Sequence, residues 1–223
     1  KVVQGAMPDD VEQHRFENLY TGGSYRDVST GSRSGFLNYK FIPITANRYD
    51  DGFNYGNNLN LHLPWMRLAD VYLMYAEAVV QGYGSPNAKS NNFSKTAVDA
   101  VNTIRNRAGA GELSESEGGY ISSVDGFMSE LRRERAVELS FEGHRFNDLR
   151  RWMLLIEKPY TLKTSLEFDR SGTLNTEDPT ENRVLNLREE LILERNYSSK
   201  HYWLPLKNAD TNMYVEFPQN PGW

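Results

Sequence analysis

Glu134, Glu138 and Glu142 recur every fourth residue within the segment Glu130 to Trp152, ELRRERAVELSFEGHRFNDLRRW. Residues four apart share one face of a helix, so this spacing sets three carboxylates side by side. Such a set is open to two chemistries. A protonated carboxyl and an ionised one can together hydrolyse a glycosidic bond. The alternative is an ion-pair network in which arginine forks hold the carboxylates, and Arg135 and Arg145 stand close by. Hydrolysis needs one carboxyl with a raised pKa, whereas neighbouring guanidinium charges lower it. The residue types therefore predict the network.

A second constellation lies between Thr45 and Asn60. Tyr49, Phe53 and Tyr55 alternate there with Asp50, Asp51, Asn54, Asn57 and Asn58. Flat aromatic faces stack on the C–H surfaces of sugars, and amides and carboxylates bond the hydroxyls. Stacking of about 1–3 kcal/mol per ring, the scale known for nucleic-acid bases, would hold a saccharide at about micromolar to millimolar strength. Tyr49, Asp50, Phe53, Tyr55, Asn57 and Asn58 are thus candidate glycan-binding residues. The competing reading folds these rings onto the helices and leaves Asn and Gly to make the turns.

Metal sites find little support. Asp50-Asp51-Gly52-Phe53-Asn54 suggests a calcium loop, but an EF-hand needs a closing Glu at the twelfth position, where this chain has Leu61. His14, His62, His144 and His201 are scattered, without a second ligand at metal spacing. No catalytic residue, cofactor or metal is expected.

These residues must be positioned by a mainly helical scaffold. Apolar residues Leu68, Val71, Tyr72, Tyr75 and Val79 recur at helical spacing from Pro64, predicting a core stripe that ends at Gly82, Gly84 and Pro86. Trp65 is expected to pack at the start of this helix. A second helix is predicted over Ser94–Ala108, with Ala97, Val101, Ile104 and Ala108 on one face and Gly109 as its stop. Ser122-Ser123-Val124-Asp125 resembles a capping box opening a third helix to about Glu142. Gly143 breaks it, and Phe146, Leu149, Trp152 and Met153 mark a fourth. Phe36–Ile44 is the best strand candidate. The chain loosens from Pro159 to Asn182, and Asn186–Arg195 reads as a short helix. Tyr202–Leu206 reads as an extended segment.

Bulk properties narrow the function. The 223 residues carry a net charge of −5 and are 39% hydrophobic, with 12% aromatic residues. The charge argues against an electrostatic grip on nucleic acid. No apolar run is long enough to span a bilayer as a helix. Without cysteine, disulfides and thiolate chemistry are excluded.

Three segments together resemble the C-terminal half of the SusD/RagB family, the surface glycan-binding lipoproteins of Bacteroidetes. The first is RLADVYLMYAEA from Arg67 to Ala78, followed by VNTIRNRAG from Val101 to Gly109. The second is ELSFEGHRF from Glu138 to Phe146, followed by DLRRW from Asp148 to Trp152. The third is YWLPL from Tyr202 to Leu206, leading to QNPGW from Gln219 to Trp223. The match covers residues 64–223, with residues 1–63 matching loosely. The resemblance implies tetratricopeptide-like helical hairpins beside an irregular, loop-rich lobe with a few short strands. In that scheme residues 1–63 belong to the ligand-facing lobe and residues 64–223 form the helical domain. The resemblance further implies non-catalytic capture of an oligosaccharide or polysaccharide at the outer face of the outer membrane. Delivery to a SusC-like TonB-dependent transporter would follow. Membrane attachment would run through a lipidated N-terminus preceding this chain. The rivals are a helical protein-interaction module that binds no sugar and a glycoside hydrolase.

Overall fold

The structure is a computed structural model that describes residues 19–26, 29, 31–36, 38, 40–41, 63–113, 121–172, 183–213 and 216–223. The chain divides into two compact units, Leu63–Asp148 and Lys1–His62 with Leu149–Trp223.

In the first unit, α1 (Leu68–Tyr83), α2 (Ala97–Ala108) and α3 (Val124–Glu138) pack around one core. Gly84, at φ 69°, closes α1 with its N–H on the Val80 carbonyl. Gly109, at φ 67°, closes α2, as expected of a residue without a Cβ clash in that conformation. Thr96 caps α2 reciprocally. Its hydroxyl accepts from the Asp99 N–H at 3.1 Å, and the Asp99 carboxylate accepts from the Thr96 N–H at 2.9 Å. This box sets the helix start at Ala97 rather than at Ser94. Ser123 caps α3 by accepting from the Gly126 N–H, but Gly at that third position cannot return a bond. Only half of the anticipated capping box therefore forms.

The predicted stripe on α1 is displaced. Val79 is buried, but Leu68 and Val71 are exposed, and Tyr72 and Tyr75 only flank the core. The buried set is Ala69, Asp70, Leu73, Ala76, Val79 and Val80. That face begins one residue later, about 100° round the helix. Large side chains mark the stripe in sequence, but the alanines permit close approach to Ala97 and Ala100 of α2, which are also fully buried. Trp65, expected to pack, is 100% exposed, and the helix begins at Leu68 rather than Pro64. Ala108, expected on the buried face of α2, is exposed as well.

α3 stops at Glu138, before the expected Glu142. Phe141 enters the left-handed region at φ 63° and Gly143 follows at φ 83°. The chain restarts as α4, His144–Arg151. Met153, placed on the face of that helix by the sequence, lies beyond its end at φ 58°.

In the second unit, Leu149, Leu155 and Tyr202 form a small core with Leu154, Ile156, Tyr160 and Tyr197. Strands β1 (Leu162–Asp169) and β2 (Leu185–Glu194) form an antiparallel ribbon. This overturns both the loose stretch expected after Pro159 and the helix expected over Asn186–Arg195. Leu187 and Leu191 stand four apart and suggest a helix, but short apolar runs do not distinguish the two periods. Asn186 decides locally: at φ 50° it leaves the helical region, and its amide bonds Asp169 at 2.7 Å. Pairing with β1 completes the choice. The described positions of the expected strand Phe36–Ile44, namely Phe36, Asn38, Lys40 and Phe41, lie in coil and turn. Tyr202 ends a 3-10 turn, and extended backbone starts only at Trp203. A single helical turn, α5 (Asn208–Thr211), follows.

The backbone and side-chain bonds from Thr96 hold the Asp99 carboxyl below its ordinary pKa. Its contribution to stability is therefore complete above the ordinary Asp value and is lost as the pH falls through the lower, folded-state value. Thr96→Ala should cost about 1 kcal/mol in urea unfolding at neutral pH. Asp99→Asn should flatten the acid limb of the stability profile.

Candidate functional site

The charged cluster forms an ion-pair network whose arginines come mainly from outside its own segment. Arg105 of α2 reaches Glu134 at 3.0 Å and Glu130 at 3.4 Å. Arg67, just before α1, bonds Glu138 at 2.8 Å and Glu142 at 2.6 Å, and its second amino group also donates to the Glu138 carbonyl. Arg107 joins Glu138 at 2.7 Å. The hydrogen bonds that Arg67 donates to Glu142 raise its pKa most, outweighing the opposite pull of burial, so this fork stays charged. Arg135 turns away from these glutamates and takes Asp70 of α1 at 2.8 Å and Asp148 of α4 at 2.9 Å. Glu142 lies past the end of α3, so the three glutamates do not share a continuous helix face. Fork geometry brings it back beside Glu138.

Glu134, Glu138 and Glu142 each accept from guanidinium groups, which is the geometry of carboxylates held in place by arginine forks. Neither Asp70 nor Asp148 stood out in the sequence. The available signal was an acid on the apolar side of each helix, which burial requires to be paired. Among the described residues no cluster of His, Cys, Asp or Glu could hold a metal ion. Among them, too, no helix is long and apolar enough to cross a membrane.

The six candidate sugar-binding residues, Tyr49, Asp50, Phe53, Tyr55, Asn57 and Asn58, lie outside the described residues, as do His14 and His62. His144 opens α4. Nδ1 of His201 accepts from the Ser198 N–H at 2.9 Å, and its ring meets Tyr197 and Trp223 edge-on. The contacts of His201 are packing contacts.

The C-terminal motif acts as a clasp on the segment before it. The Gln219 side chain accepts from the Leu206 N–H at 2.7 Å and donates to the Leu206 carbonyl at 2.9 Å. Asn220 donates to the Leu204 carbonyl, and the Trp223 indole N–H is shared by the Lys200 and Trp203 carbonyls, each at 3.1 Å. Beside it, Asp210, Met213, Glu216 and Phe217 line an open cleft of 520 Å³. An aromatic ring beside two carboxylates repeats the chemistry sought in the 45–60 loop.

Arg135→Met removes the cation shared by buried Asp70 and Asp148, which should cost about 3–5 kcal/mol in chemical denaturation. Adding Asp70→Asn and Asp148→Asn should recover most of that loss, because the carboxylate charges that Arg135 met are then removed as well. A single-variant loss too small to measure would show that water already solvates the trio.

No curated protein matches the chain. Among solved structures, a SusD-like protein from Bacteroides fragilis superposes with a TM-score of 0.66 at 23% identity, covering 100% of this chain and 36% of that one. A SusD homolog from Bacteroides thetaiotaomicron is 28% identical over 71% of this chain and 26% of its own, with a TM-score of 0.43. The first likeness shows a shared fold, and this chain spans about a third of that relative's length. A sequence model of the SusD family matches residues 6–223, and the chain belongs to that family.

Proposed function

We propose that the protein binds an oligosaccharide or polysaccharide at the cell surface without chemical turnover and hands it to a SusC-like TonB-dependent transporter. Membership of the SusD family over residues 6–223 carries this reading. In it, the protein is a lipoprotein of the outer membrane, and the helix pairs are tetratricopeptide-like hairpins that make a rigid platform. Residues 1–63 contribute to the ligand-facing lobe and residues 64–223 form the helical domain. Tyr49, Phe53 and Tyr55 stack on sugar rings, while Asp50, Asn57 and Asn58 bond hydroxyls. Affinity from two such rings and a few hydrogen bonds suits a protein that must release its cargo.

The lack of turnover rests on the bonding of the conspicuous carboxylates. Glu134 bonds Arg105, and Glu138 and Glu142 bond Arg67. These are positions for holding helices together.

A second reading, a helical module that grips a protein partner, draws on Leu63, Trp65, Met66 and Leu68. All four are exposed around the start of α1. A run of this kind is the usual signature of an interaction surface.

Calorimetric titration against a polysaccharide panel separates these readings. Tyr49→Ala, Phe53→Ala or Tyr55→Ala should each weaken sugar binding by about 1–3 kcal/mol if its ring is a platform. Binding that survives all three changes would move the sugar site elsewhere, with the cleft at Phe217 next to be tested. No binding across the panel would favour the interaction module, and release of reducing ends would establish the hydrolase.

A further inference from the structure

Strand β2 uses only one of its two edges. On β1, the Leu166 N–H donates to the Ser34 carbonyl at 3.0 Å, and the Phe168 carbonyl accepts from the Thr21 N–H at 2.9 Å. These groups point away from β2. Directly opposed residues in an antiparallel ladder either both bond across it or both turn outward. Glu189, opposite Leu166, and Leu191, opposite Thr164, therefore direct their N–H and C=O groups away from β1. Among the described residues no backbone hydrogen bond reaches that edge. Leu185, Leu187, Leu191 and Leu193 are all exposed along the same strand. An apolar strand with an open edge is a template for another strand.

The residue order indicates which strand would fit. From Leu185 to Leu193 the sequence LNLREELIL places leucines symmetrically about Glu189, with opposite charges at Arg188 and Glu190 and only Asn186 and Ile192 unmatched. Antiparallel pairing of two copies about a two-fold axis at Glu189 sets Leu185 against Leu193 and Leu187 against Leu191. It also sets Arg188 against Glu190, and each of these contacts occurs twice. Arg188 already bonds Glu190 of its own chain at 2.8 Å, so the axis would gather two cations and two anions. The unbulged register, Arg188 to Leu191, lies at the centre of this pairing, and an irregularity falls on each side of it, before Leu193 and after Leu185. Only Glu189 meets a like charge, its own copy.

We propose that β2 is a self-pairing edge, through which two copies form a symmetric dimer with a four-stranded antiparallel sheet. The occupant is a second copy because the strand is complementary to itself in charge and in apolar positions, as a two-fold interface requires. A strand of unrelated sequence would gain the backbone bonds but not the matched pairs.

Sedimentation velocity of the 223-residue chain across the micromolar range tests this. The expected result is a concentration-dependent equilibrium between monomer and dimer. Arg188→Glu should weaken it about tenfold by facing acid with acid on both sides of the axis. The exchange Arg188→Glu with Glu190→Arg should restore it, and Glu189→Gln should tighten it by removing the central repulsion. Glu189→Pro deletes an N–H that faces only the open edge and should abolish association while leaving the circular dichroism spectrum unchanged. A monomer at every concentration would overturn the proposal, including a monomer that captures an added extended peptide. A dimer indifferent to the charge reversal and its rescue would also overturn it, since the contact would then lie elsewhere.

Discussion

Arg135 is 4% exposed, and its guanidinium bridges Asp70 of α1 and Asp148 of α4 from its own place on α3. Burying one cation and two anions is costly in itself, and the cost is offset only when every charge keeps its partners in good geometry. The trio therefore constrains orientation more than it adds stability. α1 must turn Asp70 inward, which rotates Leu68 and Val71 towards solvent. The turn after α3 must bring Asp148 back within reach, which the reversals at Phe141 and Gly143 allow. Arg105 and Arg67 repeat the same device on either side, so one row of helices is held by guanidinium groups as well as by its apolar core.

This arrangement bears on the proposed binding role. A protein that presents loops to a ligand needs a platform that does not shift when those loops close or open, and loops on rigid scaffolds are the usual carriers of specificity. Buried, geometrically demanding ion pairs suit such a platform because small displacements cost much. The second unit is built differently. Its core is small, strand β2 of its ribbon is exposed, and its chain end is fastened by side-chain amides and one indole rather than by burial. Gln219, Asn220 and Trp223 bond five backbone groups between Lys200 and Leu206, which accounts for the appearance of both segments in the same sequence signature.

Several features were legible in the sequence because their causes are local. Gly84 and Gly109 end helices since they adopt a left-handed conformation without strain, whereas α3 stops at Glu138, ahead of Gly143. Arginine beside glutamate excluded a free acid–base pair and predicted the network. The cleft beside Phe217 was not legible, since it depends on how a one-turn helix and a proline-rich tail come together. The candidate sugar platform at Tyr49, Phe53 and Tyr55 remains a reading of residue types, because these positions lie outside the described residues.

Sequence alone therefore determined the helical character of residues 64–152, the glycine stops of α1 and α2, the charge chemistry of the Glu130–Trp152 segment and membership of the family. Each depends on residue type at short spacing, where backbone sterics and neighbouring charges act directly. Tertiary structure decided which face of α1 is buried, which arginine serves which carboxylate, and that Leu185–Glu194 is a strand. Those outcomes depend on partners distant in the chain. Asp70 turns inward only because Arg135 is there to receive it, and LNLREELILE becomes extended because β1 offers a ladder that a solitary helix could not match.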